Sequence, residues 1–362
     1  MSKSDPAGIK TLDRVGLQSL VTALGQPRFR TGQLERWLYG RGARSFAEMT
    51  DLPVDLREAL AGRFALPSLS IVKRETSADA TRKYLLKLAD GVTVEAVGLP
   101  EGDRLTVCFS TQAGCAMGCA FCATSAAGFT RDLGPGEMVD QVRLIADDFE
   151  RRVTNAVAMG QGEPFANYDA TLGALRFLNA AENIGIGARH MTVSTCGIIA
   201  GIRRFAEEPE QFTLAVSLHS AVQSTRDRLM PGVRSVELPA LRKALIGYAE
   251  KTHRRPSLEY ALIDGVNDTD AELTALIDFT RGMLMHVNLI PVNPVAESGF
   301  ARASGLRVRA FERSLEAARI DVSIRTERGA DIDAACGQLR QRVSAASERA
   351  DTAPQAQDSL GM

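Results

Sequence analysis

The sequence predicts an α/β protein: a partial, open (β/α)6-type parallel barrel behind a small N-terminal helical unit and a short β segment. Three observations predict it. After residue 104, short apolar or β-branched runs are each followed by a helix-like stretch at intervals of roughly thirty to forty residues, the rhythm of repeated βα units. Before residue 66, apolar residues recur at the three- and four-residue steps of helices. From 68 to 98 they alternate more as strands do.

In chain order, LQSLVTALG, GQLERWLYG and DLREALAGRF carry the helical spacing and are separated by Gly and Pro, which reads as a small bundle over residues 8–66. Within 68–98, the Asp90–Gly91 pair suggests a hairpin turn. The candidate strands of the repeat are Leu105–Ser110, Val153–Gly160, His190–Thr195, Phe212–Leu218, Ser257–Ile263, His286–Pro291 and Ile320–Arg325. Helices such as Met138–Arg151 and Leu238–Thr252 fit between them. Six or seven units are too few to close the eightfold barrel, so an open one is expected. Several strands end in polar or glycine residues: Gly162 and Glu163, Ser194 and Thr195, Ser217 and His219, Asn288 and Asn293. In a parallel barrel these gather at the carboxyl rim, where active sites lie. The segment after about Arg342 is polar and rich in small residues, and is expected to be disordered.

A chain of 362 residues, 45% of them apolar, can bury a substantial core and suits one large domain plus a smaller one. Its formal net charge of −1 means that affinity for an anionic partner has to come from a local basic surface. No apolar run approaches the roughly eighteen residues of a membrane span, and the opening MSKSDPAGIKTLDRVG lacks the apolar stretch of a secretory signal, so no membrane association and a cytoplasmic location are expected. Six cysteines are too sparse for a disulfide scaffold; a reducing compartment leaves them as thiols for chemistry or metal binding.

Four of those thiols fall in CFSTQAGCAMGCAFC, at 108, 115, 119 and 122, directly after a candidate strand and so on the first rim loop. Cys115, Cys119 and Cys122 form C-x3-C-x2-C. A four-iron cluster normally takes four thiolates, so three ligands at this spacing leave one iron open. An open iron can chelate the amino and carboxylate groups of S-adenosylmethionine and deliver an electron to its sulfonium, and here the sequence resembles the radical SAM superfamily, whose usual aromatic before the last ligand is matched by Phe121. A zinc site is the plainer alternative, but it needs a fourth ligand, and the C-x2-C knuckle has no partner elsewhere. The GQGEP turn at 160–164 sets a carboxylate among glycines where a ligand's ammonium and backbone could approach.

Cys108 lies seven residues before the first ligand and Cys336 far downstream in RGADIDAACGQL; the cluster needs neither. With GQGEP, VSTCG, SLHS, LIPVNP and DIDAACGQL in that order, and with PRFRTGQLERWLY and FAEMTDLP near the start, the sequence closely resembles the RlmN/Cfr family of radical SAM RNA adenine methyltransferases over nearly its whole length. The resemblance implies a [4Fe–4S] cluster on Cys115, Cys119 and Cys122 and two S-adenosylmethionine molecules per turnover. It implies Cys336 as the thiol that first accepts a methyl group, Cys108 as the thiol that later attacks Cys336 and frees the product, and Glu95 as a proton acceptor. Gly162, Glu163, Ser194, Ser217, Leu218, His219 and Asn293 would contact the cofactor. The partners implied are RNA (23S ribosomal RNA and transfer RNA) and an electron donor such as flavodoxin, acting on a monomer.

Adenine's amidine carbons are not nucleophilic, so simple methyl transfer fails there; a protein-bound methylene avoids that barrier, and its release needs a second thiol. Cys196 has no role in the family pattern and reads as packing, as do His190, His253 and His286. Between 28 and 44, Arg28, Arg30, Arg36, Arg41 and Arg44 face one acid, Glu35, with Phe29, Trp37 and Tyr39 interleaved, the chain's best nucleic-acid footprint; Arg74, Arg82 and Lys83 could extend it. The domain organisation expected is an RNA-binding accessory unit over 1–90, a methyltransferase core over 91–345 and a tail over 346–362. Two departures from the family are Gln161, where a methionine is usual, and FCATSAAGFTRDL after the last ligand. They leave carbon 2 as the favoured target and carbon 8, the antibiotic-resistance reaction, as the alternative. A non-catalytic iron–sulfur protein that binds RNA or senses redox state is the rival of a different class.

Overall fold

The computed structural model describes residues 8–66, 69–126, 128–293, 299–326 and 328–332; Cys336 and the expected tail lie outside them. Helices α1 (Arg14–Ala23), α2 (Arg30–Glu35) and α3 (Val54–Ala61) come first. Strands β1 (Leu69–Thr76), β2 (Arg82–Leu88), β3 (Thr93–Glu101), β4 (Arg104–Cys108), β5 (Gln112–Gly114) and β6 (Phe129–Asp132) follow, with the short α4 (Ala123–Ala126) before β6. The rest alternates: α5 (Pro135–Phe149), β7 (Asn155–Ala158), α6 (Tyr168–Asn179), β8 (Met191–Thr195), α7 (Ile199–Phe205), β9 (Thr213–Ser217), α8 (Gln223–Leu229), α9 (Leu238–Thr252), β10 (Ser257–Leu262), α10 (Asp270–Thr280), β11 (His286–Pro291), α11 (Gly305–Ala317) and β12 (Asp321–Ile324).

Ten strands make one sheet in the order β1-β2-β3-β4-β7-β8-β9-β10-β11-β12. From β4 to β12 every neighbouring pair is parallel, so all seven strands expected from the repeat are present, with helices crossing between them. Among the described residues the edge strands β1 and β12 do not pair, which leaves the barrel open. The β segment continues this sheet: β1, β2 and β3 are antiparallel and join it through β3 and β4, with the Asp90–Gly91 turn between β2 and β3.

Helix signals act locally. Pro135 starts α5, and the Glu137 carboxylate accepts from the Gly134 amide at 2.8 Å; Thr269 and Ser304 cap α10 and α11 through their hydroxyls. The N-terminal helices share one apolar core with the barrel. Tyr39 is fully buried and stacks on Phe177 of α6 at 4.1 Å between ring centroids. The buried Lys10–Asp140 pair, at 2.6 Å, fastens the N-terminal segment to α5, and removing one partner is expected to cost about 3–5 kcal/mol. Among the described residues no helix is long and apolar enough to cross a membrane.

Candidate active site

The carboxyl ends of the parallel strands surround a cavity of about 290 Å³. Cys115, Cys119 and Cys122 line it from the loop after β5; Gly162 and Glu163 follow β7, Ser194 ends β8, Ser217 ends β9 with His219 just beyond, and Glu259 lies on β10. A second cavity, of about 380 Å³, adjoins it. The two share Met159, Ile290 and Arg325, and the second holds Cys108 and Asn293.

Close backbone approaches shape the cysteine loop. Gly114 has a left-handed φ of 77°, and a Cβ there would lie 1.9 Å from the Gly128 carbonyl oxygen, the acceptor of the Cys115 amide. The Ala120 amide donates to the Leu229 carbonyl and the Gly232 amide to the Met117 carbonyl, both at 2.9 Å, so the turn after α8 pins the loop from outside. Burial first, then repulsion from Cys122 and Cys115, pushes the Cys119 thiol up to about 12; burial pushes Cys115 up as well. Such a crowded thiol set calls for cations. Among the described residues no three His, Cys, Asp or Glu side chains form a cage for one ion. Three thiols lining one wall of a cavity are the donor set that a multi-iron cluster would take.

GQGEP forms the floor. A Cβ at Gly160 would lie 2.7 Å from the Phe109 oxygen, and at Gly162, with φ 104°, 2.6 Å from Gln112 Cβ. Glu163 is buried, and its carboxylate accepts from the Cys196 amide at 2.7 Å and the Phe165 amide at 2.9 Å. Burial pushes its pKa up, against the lowering effect of those donors and Thr195. Gln161 is buried with neither side-chain amide atom partnered, a defect that costs about 1–3 kcal/mol and that a thioether at this place would avoid.

On the opposite side, Ser217, Glu259, Asn288 and Ser323 stand in register across β9 to β12. Glu259 accepts from Ser257 Oγ at 2.8 Å and Asn288 Nδ2 at 2.7 Å, while Ser323 Oγ lies 2.8 Å from His286 Nε2. His219 accepts at Nδ1 from the Ala261 amide at 2.9 Å, which places its ring hydrogen on Nε2; burial, then Arg226, lowers its pKa to about 3 and keeps it neutral. Its φ of 54° is left-handed, a strain of roughly 1–2 kcal/mol. Phe121 packs edge-on against its ring at 4.7 Å. Sequence reading missed Glu259, although it is the one charge in the apolar run SLEYAL, and it missed Met159 and Arg325, whose side chains carry no motif.

The remaining candidates divide. Leu218 is core, and only its main chain, whose amide donates to the Glu259 carbonyl, borders the site. Asn293 lines the second cavity, not the first. Cys108, half-buried at the end of β4, is pushed up to about 11 by burial, with Arg325 lowering and Glu95 raising it. Glu95 is buried on β3, on the same face as Val97 and Leu99 of that cavity, and pairs with Lys83 at 3.6 Å. Cys336 lies outside the described residues, and the five described cysteines are all free thiols. Cys196 packs with Leu229, Met230 and Val233 as expected, and also lines the first cavity.

The basic footprint changes in detail. Arg28, Arg36, Arg41, Arg44 and Phe29 are exposed, with the Arg41 guanidinium 4.2 Å over the Trp37 ring. Tyr39 is core, so it offers no face to a base. Lys83 is buried against Glu95, and Arg74 and Arg82 both bind Asp148, so this group does not extend a free basic surface.

Comparison with known proteins places these features. Residues 8–66 match the family described as the ribosomal RNA large subunit methyltransferase N-terminal domain, and residues 109–277 match the radical SAM superfamily. A probable dual-specificity RNA methyltransferase RlmN of Pelotomaculum thermopropionicum is 46% identical over 96% of this chain and 95% of its own length. Its namesake in Synechococcus elongatus is 47% identical over 91% of this chain and 92% of its own. A crystal structure of a radical SAM methyltransferase from Sphaerobacter thermophilus superposes with a TM-score of 0.84 at 43% identity, covering 92% of this chain and 99% of that one.

Proposed function

The chain belongs to the RlmN family of radical SAM methyltransferases, and on that premise we propose that it methylates carbon 2 of an adenosine in 23S ribosomal RNA, and in transfer RNA, through a methyl-cysteine intermediate. The observation that carries this reading is the shared wall: the three-thiol pocket and the Cys108 cavity meet at Met159, Ile290 and Arg325. Radical generation and thiol chemistry are thereby neighbours.

In this reading, Cys115, Cys119 and Cys122 hold a [4Fe–4S] cluster, and Gly162, Glu163, Ser194, Ser217 and His219 hold S-adenosylmethionine beside it. When bound there, these groups supply a deoxyadenosyl radical and, from a second S-adenosylmethionine, the methyl group. Cys336 accepts that methyl and carries its carbon to the base. The Cys108 thiolate then attacks the Cys336 sulfur: a sulfur–sulfur bond forms, the sulfur–carbon bond breaks with its electron pair left on the carbon, and a proton from solvent completes the methyl group on the base. Glu95, one residue pair deeper on the cavity face, accepts the proton that the target ring carbon loses when it takes up the new carbon. The target base occupies the second cavity, splayed from its RNA strand, with the exposed arginines of the N-terminal unit on phosphates. The reading includes a monomer reduced by a flavodoxin-type donor.

The test is an anaerobic assay of the reconstituted chain with RNA, S-adenosylmethionine and a reductant. Deoxyadenosine and 2-methyladenosine are the expected products. Absence of both sinks the enzyme in favour of a non-catalytic iron–sulfur protein, and 8-methyladenosine replaces the assigned carbon.

A further inference from the structure

Arg226, on α8, is fully buried and is the largest fully buried side chain among the described residues. Its Nη2 donates to the Cys196 carbonyl at 2.6 Å, while Nε and Nη1 have no hydrogen-bond partner. Among the described residues it forms no salt bridge. Asp227, its neighbour in sequence, instead accepts from Gln223 Nε2 at 2.7 Å. A guanidinium cannot shed its proton to escape such a place. With no carboxylate in direct contact, it costs several kcal/mol of desolvation.

The groups within its electrostatic reach show what the charge serves. They are the thiols of Cys119 and Cys196, with Asp227, and the neutral His219 ring. Arg226 is not among the residues that line the cavity; it sits on α8, whose last residue, Leu229, accepts from the Ala120 amide next to Cys119, and its charge acts on that thiol. A cluster held by three thiolates is anionic, and each electron it accepts makes it more so. A fixed buried cation on that side stabilises the loaded state and, more strongly, the reduced one.

We infer that Arg226 is a positioning residue for the cluster: a buried counter-charge, held on the Cys196 carbonyl within reach of Cys119, that favours cluster reduction and so radical generation. This rests on the cluster assignment proposed above. The measurement is the cluster's midpoint potential in the anaerobically reconstituted full chain, followed by electron paramagnetic resonance alongside iron content. Arg226→Met removes the charge at similar length and is expected to lower the one-electron reduction constant at least tenfold, about 59 mV more negative. Arg226→Lys keeps the charge and is expected to stay within about threefold. A loaded Arg226→Met with an unchanged potential overturns the inference. If that variant retains no iron, Arg226→Lys decides: a value within threefold supports the charge role, and a tenfold fall means that the shape of the guanidinium matters and the inference fails. A wild-type chain that holds no iron would instead sink the cluster assignment itself.

Discussion

The two adjoining cavities differ in how far their polar groups are committed in advance. Around the three thiols, Glu163, His219 and Glu259 are each buried and already fixed by main-chain amides or by neighbouring side chains. Around Cys108 the rim includes the exposed Arg302 and Arg325 and the half-buried Arg328, which pairs with Glu101 at 2.9 Å. The first holds its polar groups in place, as aiming a small cofactor would require; the second is basic, as binding a polyanion would require. On the proposed function, one reaction divides between a preset half and a basic one.

Breaking the preset half should have the largest effect. Cys119→Ala is expected to abolish both iron retention and deoxyadenosine formation, measured by iron analysis and chromatography of the reaction. Deoxyadenosine at the wild-type rate would show that the two cavities are not divided as described. Next comes the other half: Cys108→Ala should leave deoxyadenosine formation standing while methylated RNA is lost and a covalent protein–RNA adduct accumulates on a denaturing gel. No adduct would remove the resolving role from Cys108.

A smaller effect sharpens the same division. Because Cys108 is pushed up to about 11, it is mostly a thiol at neutral pH, and the thiolate is the nucleophile. Adduct decay in a single turnover should therefore quicken roughly tenfold per pH unit between about 7 and 9. A flat profile would mean that a local base has already deprotonated the thiol. The smallest effect belongs to the shared wall: Arg325→Ala should weaken RNA binding a few-fold and reduce its salt slope by about one, with S-adenosylmethionine affinity less affected.

Much of this was legible in one dimension. The parallel strands appear within a few residues of their expected positions, and α9 spans Leu238–Thr252 as the periodicity predicts, because each βα unit writes its own apolar pattern. The three-thiol loop was legible because its cysteines are neighbours in the chain. Whether Tyr39 and Lys83 belong to a basic surface was not legible, because an aromatic or a lysine looks the same in sequence whether it meets solvent or a partner from another element; here Phe177 and Glu95 supply those partners. For Asn293, a position at a strand end says which rim it occupies, but not which of two cavities on that rim it borders.

The sequence by itself determined the repeat, the open sheet and the grouping of three thiols on one loop, since these depend on local periodicity and short spacing. Only the tertiary structure decided that Glu259 faces the thiols, that Arg226 is buried within reach of Cys119 with no salt bridge among the described residues, and that Cys108 opens into a separate cavity. Those facts depend on contacts between residues tens to hundreds of positions apart, and a charge acquires its role from the dielectric and partners that such contacts create.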